Sequence, residues 1–204
     1  MIRGIIFDFG DVICFWKTDA LGEARSLALG LPKESIKDII WDYLNAAHEG
    51  TYHSVQDYFE RAKPEASVGV DIVAEVFDEM EASASIDQRM VDFITVLKRQ
   101  YKVALLSNFP KGIEDYLAER FHIEHLFDAV VSSYNIQKKK PSLDAYRYAS
   151  DQIALKPEEC LFVDDSENNV LAAKEAGMRG LVFKNFEDFK EQFESIFGRN
   201  SENP

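Results

Sequence analysis

The sequence predicts an α/β protein with a doubly wound parallel sheet of Rossmann-like type and a helical subdomain inserted into it. Three observations support this fold class: short continuous apolar runs, amphipathic stretches that alternate with those runs, and one long interval of helical periodicity that contains no convincing strand. Strands of a parallel sheet are covered by helices on both faces. They are therefore apolar along their whole length rather than at every second residue.

Five runs have the length and composition of such buried strands, at residues 5–7, 103–106, 129–131, 160–163 and 180–183. Helical periodicity lies between them, at residues 86–100, 112–121, 142–153 and 168–176. Gly177 follows the last of these stretches and predicts its end, because glycine commonly terminates helices. Strands and helices alternate, so right-handed crossovers and a parallel sheet are expected.

The interval 21–85 departs from this alternation, since its apolar residues recur at helical spacing. We therefore expect two domains: an α/β core formed by residues 1–15 and 86–204, and a helical cap formed by residues 16–85. Gly and Pro predict turns within the cap at residues 50–51 and 64–69. The polar tail, residues 199–204, is expected to fray.

Composition and charge narrow the classes of function. The 204 residues are 46% hydrophobic and carry a formal net charge of −13. This charge would repel a nucleic-acid backbone, so no nucleic-acid partner is expected. No apolar run approaches the roughly 18 residues that span a membrane. Cys14 and Cys160 lie in separate apolar runs and are interpreted as buried thiols of a soluble cytoplasmic protein.

Polar side chains stand where the predicted strands end or where the next predicted helix begins, and parallel strands bring those ends to one edge of the sheet. Together they would supply a nucleophile, a hydroxyl donor, a cation and metal-binding carboxylates, which is a set typical of phosphoryl transfer. The residues, in chain order, are Asp8, Ser107, Asn108, Lys140, Asp164 and Asp165.

These residues lie in segments that resemble motifs one to four of the haloacid dehalogenase-like (HAD) hydrolases. The segments are DFGDV at 8–12, LSN at 106–108, KPS at 140–142 and VDDSENN at 163–169, the last leading to Ala173 and Gly177. The helical insertion is similar to the cap that this family carries between motifs one and two. Within it, Glu49-Gly50-Thr51 followed by residues 55–59 resembles the cap of the sugar-phosphatase-like branch.

The resemblance implies a role for each residue. Asp8 would attack phosphorus and carry the phosphoryl group. Ser107 and the backbone N–H of Asn108 would bind phosphoryl oxygens, and Lys140 would neutralise the charge shared by Asp8 and the phosphate. Mg²⁺ would be the cofactor, and its ligands would be Asp8, the Gly10 carbonyl, Asp165, and Asp164 directly or through water.

Gly10 departs from the family pattern. Catalytic members usually have a second Asp there, which protonates the leaving group and later activates water. General acid–base assistance is worth about 10²–10⁴-fold, so its loss should slow the release of poor leaving groups. Asp11 is adjacent, but a shift of one residue usually points a side chain elsewhere.

The expected function is a Mg²⁺-dependent phosphatase of a small phosphorylated metabolite, with a sugar phosphate as one possibility. The alternative is a non-catalytic phosphate-binding or regulatory protein that lost turnover through Gly10. A dehalogenase is a further alternative by family analogy. A signalling receiver domain fits less well, because its acidic pair would come early in the chain.

Four aromatic residues could line a pocket between cap and core or belong to the cap interior: Phe15, Trp16, Trp41 and Tyr52. The sequence does not indicate an oligomeric state.

Overall fold

A five-stranded parallel sheet lies at the centre of the structure, a computed structural model that describes residues 1–48, 50–62 and 68–198. The strands are β1 (Gly4–Phe7), β2 (Cys14–Phe15), β3 (Ser85–Ile86), β4 (Lys102–Ser107), β5 (Ala129–Ser132), β6 (Cys160–Asp164) and β7 (Arg179–Val182). The order in the sheet is β5-β4-β1-β6-β7, and β2 and β3 form a separate antiparallel pair. All five predicted strands are present, and the predicted α/β class is confirmed.

Helices cover the sheet and fill the interval before β3. In chain order they are α1 (Thr18–Ala28), α2 (Ser35–Ala47), α3 (Val55–Ala62), α4 (Val70–Ala82), α5 (Gln88–Leu97), α6 (Ile113–Asp115), α7 (Ser133–Ile136), α8 (Leu143–Gln152), α9 (Glu167–Glu175) and α10 (Phe186–Phe197). A π-helical turn over Tyr116–Phe121 continues α6, and short 3₁₀ turns lie at Glu124–Leu126 and Pro157–Glu159.

The sheet buries both of its faces. Alternate residues of β1 point to opposite sides, so Ile5 and Phe7 belong to one apolar cluster and Ile6 to the other. Helices α5 and α10 contribute to the first cluster, and helices α8 and α9 to the second. This arrangement explains why the strands are apolar throughout.

Helices α1 to α4 occupy the interval for which the sequence predicts helices only, and a third apolar cluster joins α2, α3 and α4. Strands β2 and β3 lie at the two ends of this helical insertion. Ile86, predicted as the first residue of a helix, is instead in β3. The helix begins later because the Asp87 side chain accepts a hydrogen bond from the Arg89 N–H at 2.9 Å and caps α5.

Helix α10 is an element that the sequence analysis did not predict. Its phenylalanines at positions 186, 189, 193 and 197 follow helical spacing, and the Asn185 side chain accepts from the Asp188 N–H at 3.0 Å. Both features are readable in sequence as a helix start and an apolar face. The ring of Phe189 packs against that of Phe7, 6.1 Å away, which fixes the helix on the sheet.

Some predicted features lie outside the described residues: Glu49 of the cap motif, residues 64–67 of the predicted turn, and the tail 199–204. Within the described ranges, no helix is both long enough and apolar enough to span a bilayer. Cys14 and Cys160 are free and buried.

Candidate active site

The register of the central strands places two of the predicted carboxylates side by side. Phe7 of β1 pairs with Val163 of β6, and the Asp8 N–H donates to the Val163 carbonyl at 2.9 Å. The next residues along the two strands, Asp8 and Asp164, therefore stand at the same edge of the sheet. Both side chains are buried.

Lys140 lies between these two carboxylates. Its Nζ is 2.7 Å from Asp8 Oδ1 and 2.7 Å from Asp164 Oδ2, and the ammonium group is almost fully buried. Burial alone would lower the pKa of Lys140, but the two carboxylates outweigh it, and the pKa is raised. Lys140 is therefore a fixed positive charge at the predicted site.

Burial dominates the ionisation of Asp8. The pKa of Asp8 is raised from 3.8 to about 7, because burial and the carboxylate of Asp164 together outweigh the opposing effects of Lys140 and the Phe9 N–H. Asp8 Oδ1 accepts from both Lys140 and the Phe9 N–H, the latter at 2.7 Å. Within the part of the chain that the structure describes, Oδ2 has no hydrogen-bond partner, so it is the oxygen available for attack or for a cation.

Asp164 is held on both of its oxygens. Oδ2 faces Lys140, while Oδ1 accepts from the Ser166 N–H at 2.9 Å and from the Asn169 side chain at 3.0 Å. A carboxylate held in this way positions Lys140 and has little freedom to move. Asn169 was not singled out as a functional residue in the sequence analysis, although it lies within the VDDSENN segment.

The residues present fit a hard divalent cation. Asp8, Asp164 and Asp165 each offer an oxygen, and the three oxygens lie within 4.8 Å of one another. Asp165 is exposed, and both desolvation and the neighbouring Asp164 raise its pKa. Three carboxylates this close repel one another, and an all-oxygen donor set is the one that Mg²⁺ prefers.

Ser107 is the last residue of β4, and Asn108 follows it at the same edge of the sheet. Ser107 is buried and lines the cavity described below. The Asn108 side chain faces the loop that carries the lysine: it accepts from the Lys140 N–H at 2.8 Å and donates to the Lys140 carbonyl at 3.1 Å. Its amide thus orients Lys140, a role different from the phosphate contact that the sequence predicts for its backbone.

Gly10 and Asp11 lie in the tight turn after β1, where the N–H groups of Ile13 and Cys14 both donate to the Phe9 carbonyl at 2.9 Å. Gly10 brings no side chain to the cavity. Asp11 has a left-handed backbone with φ of 55°, is exposed, and borders the same cavity. Desolvation, together with the nearby Asp19, raises its pKa.

A cavity of about 140 Å³ opens beside Gly10, Ser107 and Asn108 and reaches the insertion helices. Of the four aromatic residues proposed from sequence, Trp16 and Trp41 line it, Tyr52 lines a neighbouring cavity, and Phe15 packs on the core. Glu81, at the end of α4, also lines it. Sequence reasoning missed Glu81, because only the tertiary packing of α4 brings it there.

Comparison with known proteins places these residues in a family. A sequence model described as haloacid dehalogenase-like hydrolase matches residues 2–177. Drimenol cyclase drtB of Aspergillus calidoustus is 28% identical over 99% of this chain, which spans only 38% of the length of that relative. Sesquiterpene phosphatase astK of Aspergillus oryzae is 28% identical over 88% of each protein. D-ribitol-5-phosphate phosphatase of Bacteroides thetaiotaomicron is 24% identical over 96% of this chain and 98% of its own length.

Solved structures agree on the fold. A HAD family enzyme from Bacteroides thetaiotaomicron, in complex with magnesium and inorganic phosphate, superposes with a TM-score of 0.71 at 19% identity, covering 95% of this chain and all of that one. L-2-haloacid dehalogenase from Xanthobacter autotrophicus, with chloropropionic acid covalently bound, gives a TM-score of 0.64 at 18% identity, covering 99% of this chain and 85% of that one. With the match over residues 2–177, the chain belongs to the haloacid dehalogenase-like hydrolase family.

Proposed function

We propose that the protein is a Mg²⁺-dependent phosphatase of a small phosphorylated metabolite and works through an aspartyl phosphate on Asp8. One observation carries the proposal: the Lys140 ammonium is buried between Asp8 and Asp164, 2.7 Å from each, with one oxygen of Asp8 left available. Relatives named as phosphatases, on sesquiterpene and ribitol-5-phosphate substrates, support the same reaction class.

In the first step Asp8 Oδ2 forms a bond to phosphorus, and the bond between phosphorus and the ester oxygen breaks. The electron pair stays on the ester oxygen, which leaves as an alcohol after taking a proton from water. In the second step a water molecule attacks phosphorus, releases inorganic phosphate and regenerates the Asp8 carboxylate. No oxidant is needed, and water is the second reactant.

The neighbouring side chains neutralise the negative charge of Asp8 and of the phosphoryl group. Lys140 neutralises Asp8 and approaches the phosphoryl group from the Oδ1 side, while the Ser107 hydroxyl donates to a phosphoryl oxygen. Asp164 and Asn108 keep Lys140 in place through its side chain and its backbone, respectively. Such prearranged charges stabilise a phosphoryl transition state because they do not need to reorganise.

Asp8 and Asp165 would hold Mg²⁺ directly, together with the Gly10 carbonyl, and Asp164 would act directly or through water. When bound, the cation supplies charge neutralisation for the phosphoryl oxygens and lets a dianion approach three carboxylates. The fit rests on the clustering of their oxygens within 4.8 Å.

The glycine at position 10 favours a second candidate function, that of a phosphate-binding or regulatory protein without turnover. The turn after β1 offers no acidic side chain at the position where the resemblance calls for one. Asp11 and Glu81 both border the cavity and are the carboxyls available to take over proton transfer. Burial raises the pKa of Glu81, which favours its protonated form.

Phosphate release from phosphorylated metabolites with and without Mg²⁺ tests the proposal, with Asp8→Asn as the blank. We expect Mg²⁺-dependent release by the wild type and none by the variant. Phosphate binding without release from any ester would support the non-catalytic alternative. Release that survives in Asp8→Asn would rule out the aspartyl intermediate.

The relatives do not determine the substrate, because their named substrates range from sesquiterpene phosphates to a ribitol phosphate. A sugar phosphate, the possibility raised by the cap motif, is one member of this range. A cytoplasmic location is part of the proposal, because the two cysteines are free, buried thiols.

A further inference from the structure

The cavity beside the site is continuous with the reacting groups. Gly10, Ser107 and Asn108 line one end of it, at the strand termini where the phosphoryl group would sit. Residues of the insertion also line it, including Trp41 and Leu44 of α2, together with Phe109 and Pro110 of the core. The part of a substrate that leaves with the ester oxygen would therefore extend into this space.

The walls on the leaving-group side are mainly apolar. They are formed by Trp16, Trp41, Leu44, Phe77, Met80, Phe109 and Pro110, and the polar residues there are Thr18, His48 and Glu81. A polyhydroxylated chain would lose its hydrogen bonds to water against such walls without regaining them, which is unfavourable. A hydrocarbon gains from the same burial.

The charges along the cavity walls exclude leaving groups that are themselves negatively charged. Among the described residues that line the cavity, none is a lysine or an arginine, while Asp11 and Glu81 contribute carboxyl groups. A leaving group with its own carboxylate or second phosphate would lose its hydration there, with no lysine or arginine on the walls to offset the loss. The leaving group that fits is uncharged.

The volume of the cavity limits the size of the leaving group. The cavity measures about 140 Å³, close to the ~150 Å³ cavity that holds benzene in an apolar protein interior. We propose that the substrate is a phosphate monoester of an uncharged apolar alcohol, with a hydrocarbon group of about one six-membered ring next to the ester oxygen. This inference rests on the proposed phosphatase function and names its substrate class.

The experiment compares two esters of primary alcohols, so that leaving-group basicity is similar. We would measure kcat/KM for cyclohexylmethyl phosphate and for ribose 5-phosphate with Mg²⁺ present. Burial of a ring predicts that the apolar ester is preferred by about 10-fold or more. A preference below this value, with acetyl phosphate hydrolysed by the wild type and not by Asp8→Asn, would overturn the inference and leave the phosphatase function standing.

Acetyl phosphate separates the two levels of the proposal, because its leaving group is small and departs readily without a protonating side chain. If the wild type hydrolyses none of the three phosphorylated compounds, the proposed function fails, and the substrate class fails with it.

A matched pair of variants on α2 tests whether the cavity wall causes the preference. Leu44→Gln places an amide on the wall, and we expect it to reduce the ratio of the two kcat/KM values by about 5-fold or more. Ile39→Gln changes a half-buried residue of the same helix that packs in the insertion core and does not line the cavity, so its ratio should stay at the wild-type value. Equal ratios in the wild type and Leu44→Gln would overturn the assignment.

Trp41→Gln gives an independent second test should Leu44→Gln not fold, because Trp41 is 40% exposed and outside the cores. The ratio of the two kcat/KM values should fall in Trp41→Gln as well. An unchanged ratio in this folded variant also overturns the inference.

Discussion

The side-chain amide of Asn108 pairs with the backbone of Lys140 in both directions, accepting from its N–H at 2.8 Å and donating to its carbonyl at 3.1 Å. The residue that follows β4 thereby fixes the backbone of Lys140, which lies in a distant loop. Because the ammonium group must reach both Asp8 and Asp164, a small displacement of this backbone would be felt at the nucleophile.

Asn108→Ala should therefore lower kcat by about 10²-fold, since misplacement of a catalytic group by about 1 Å costs that much. Asn135→Ala is the matched control, because it removes an Asn side chain that bonds the exposed Glu114 at the same edge of the sheet. Steady-state kinetics on both variants and the wild type measures kcat. Equal kcat values in Asn108→Ala and the wild type would remove Asn108 from the machinery.

Replacing Gly10 with Asp should restore part of the missing proton transfer. A Cβ at Gly10 would meet Trp16 Cζ3 at 3.6 Å, an ordinary van der Waals contact, so the backbone at this position leaves room for a Cβ. Gly10→Asp should speed the hydrolysis of esters with poor leaving groups by up to about 10²-fold and should affect acyl phosphates little.

Gly10→Asn has nearly the same shape without the acid and serves as its control. The readout is the slope of log kcat/KM against leaving-group pKa, which should be steep in the wild type and shallower in Gly10→Asp. A shallow slope in the wild type, with phosphoryl transfer rate-limiting, would mean that another residue is the acid. Asp11→Asn and Glu81→Gln are then the variants to compare.

Asp8 should make the metal-free protein less stable as pH rises. Its pKa is about 7 in the folded protein and 3.8 in an ordinary context, so the folded state holds this proton more tightly. The contribution of Asp8 to stability is therefore fully present below about pH 4 and is lost as the pH rises through about 7.

Asp8→Asn is neutral at every pH and lacks this dependence. In chelator, the Tm of the wild type minus that of Asp8→Asn should decrease from about pH 5 to about pH 8. Mg²⁺ added at the upper pH should raise the Tm of the wild type more than that of the variant. A difference in Tm that is flat or rising over this range would contradict the pKa of Asp8.

Asp165→Asn should weaken Mg²⁺ binding by at least about 10-fold, as expected when a ligating group loses its charge. Glu167→Gln is the matched control, because it neutralises an exposed carboxylate two residues away that is outside the cluster of three. Titration calorimetry with Mg²⁺ alone gives the affinities. Similar weakening in both variants would indicate a general charge effect rather than a ligand.

Ser133 links the helical insertion to the core, and the strength of this link can be tested. Its hydroxyl donates to the carbonyl of His48, at the end of α2, at 2.7 Å and accepts from the Phe109 N–H at 3.2 Å. Ser133→Ala should speed hydrogen exchange in the last turn of α2, because this link to the core is lost. Ser142→Ala, at a helix start without a side-chain cap, should leave that exchange unchanged.

The sequence was sufficient to predict the strand ends of the site. Continuous apolar runs identify parallel strands, and parallel strands must present Asp8, Ser107 and Asp164 at one edge whatever their separation along the chain. Lys140 is not on a strand, and only the family resemblance implied that it would neutralise Asp8. Its contact with Asp164 was not predicted. The geometry that fixes it comes from Asn108 and is not readable from spacing.

Other features depend on tertiary packing and therefore escaped prediction. Glu81 reaches the cavity only because α4 lies against the core, where Arg120 donates to the Glu81 carbonyl at 2.7 Å. Strands β2 and β3 have two residues each, too few for a periodic signal. Helix α10 is different, because its cap and its phenylalanine spacing were present in the sequence and were not used.

The pairing of β2 with β3 has a consequence for how this chain can be rebuilt. Cys14 lies opposite Ile86 and Phe15 opposite Ser85, so the points where the chain enters and leaves the helical insertion are neighbours, about 5 Å apart. A short turn could join them and leave the five-stranded sheet uninterrupted. The segment between them, which contains the described helices α1 to α4, is thus an exchangeable unit, and another helical segment transplanted at these two points would change what reaches Asp8 without altering the strands that hold it.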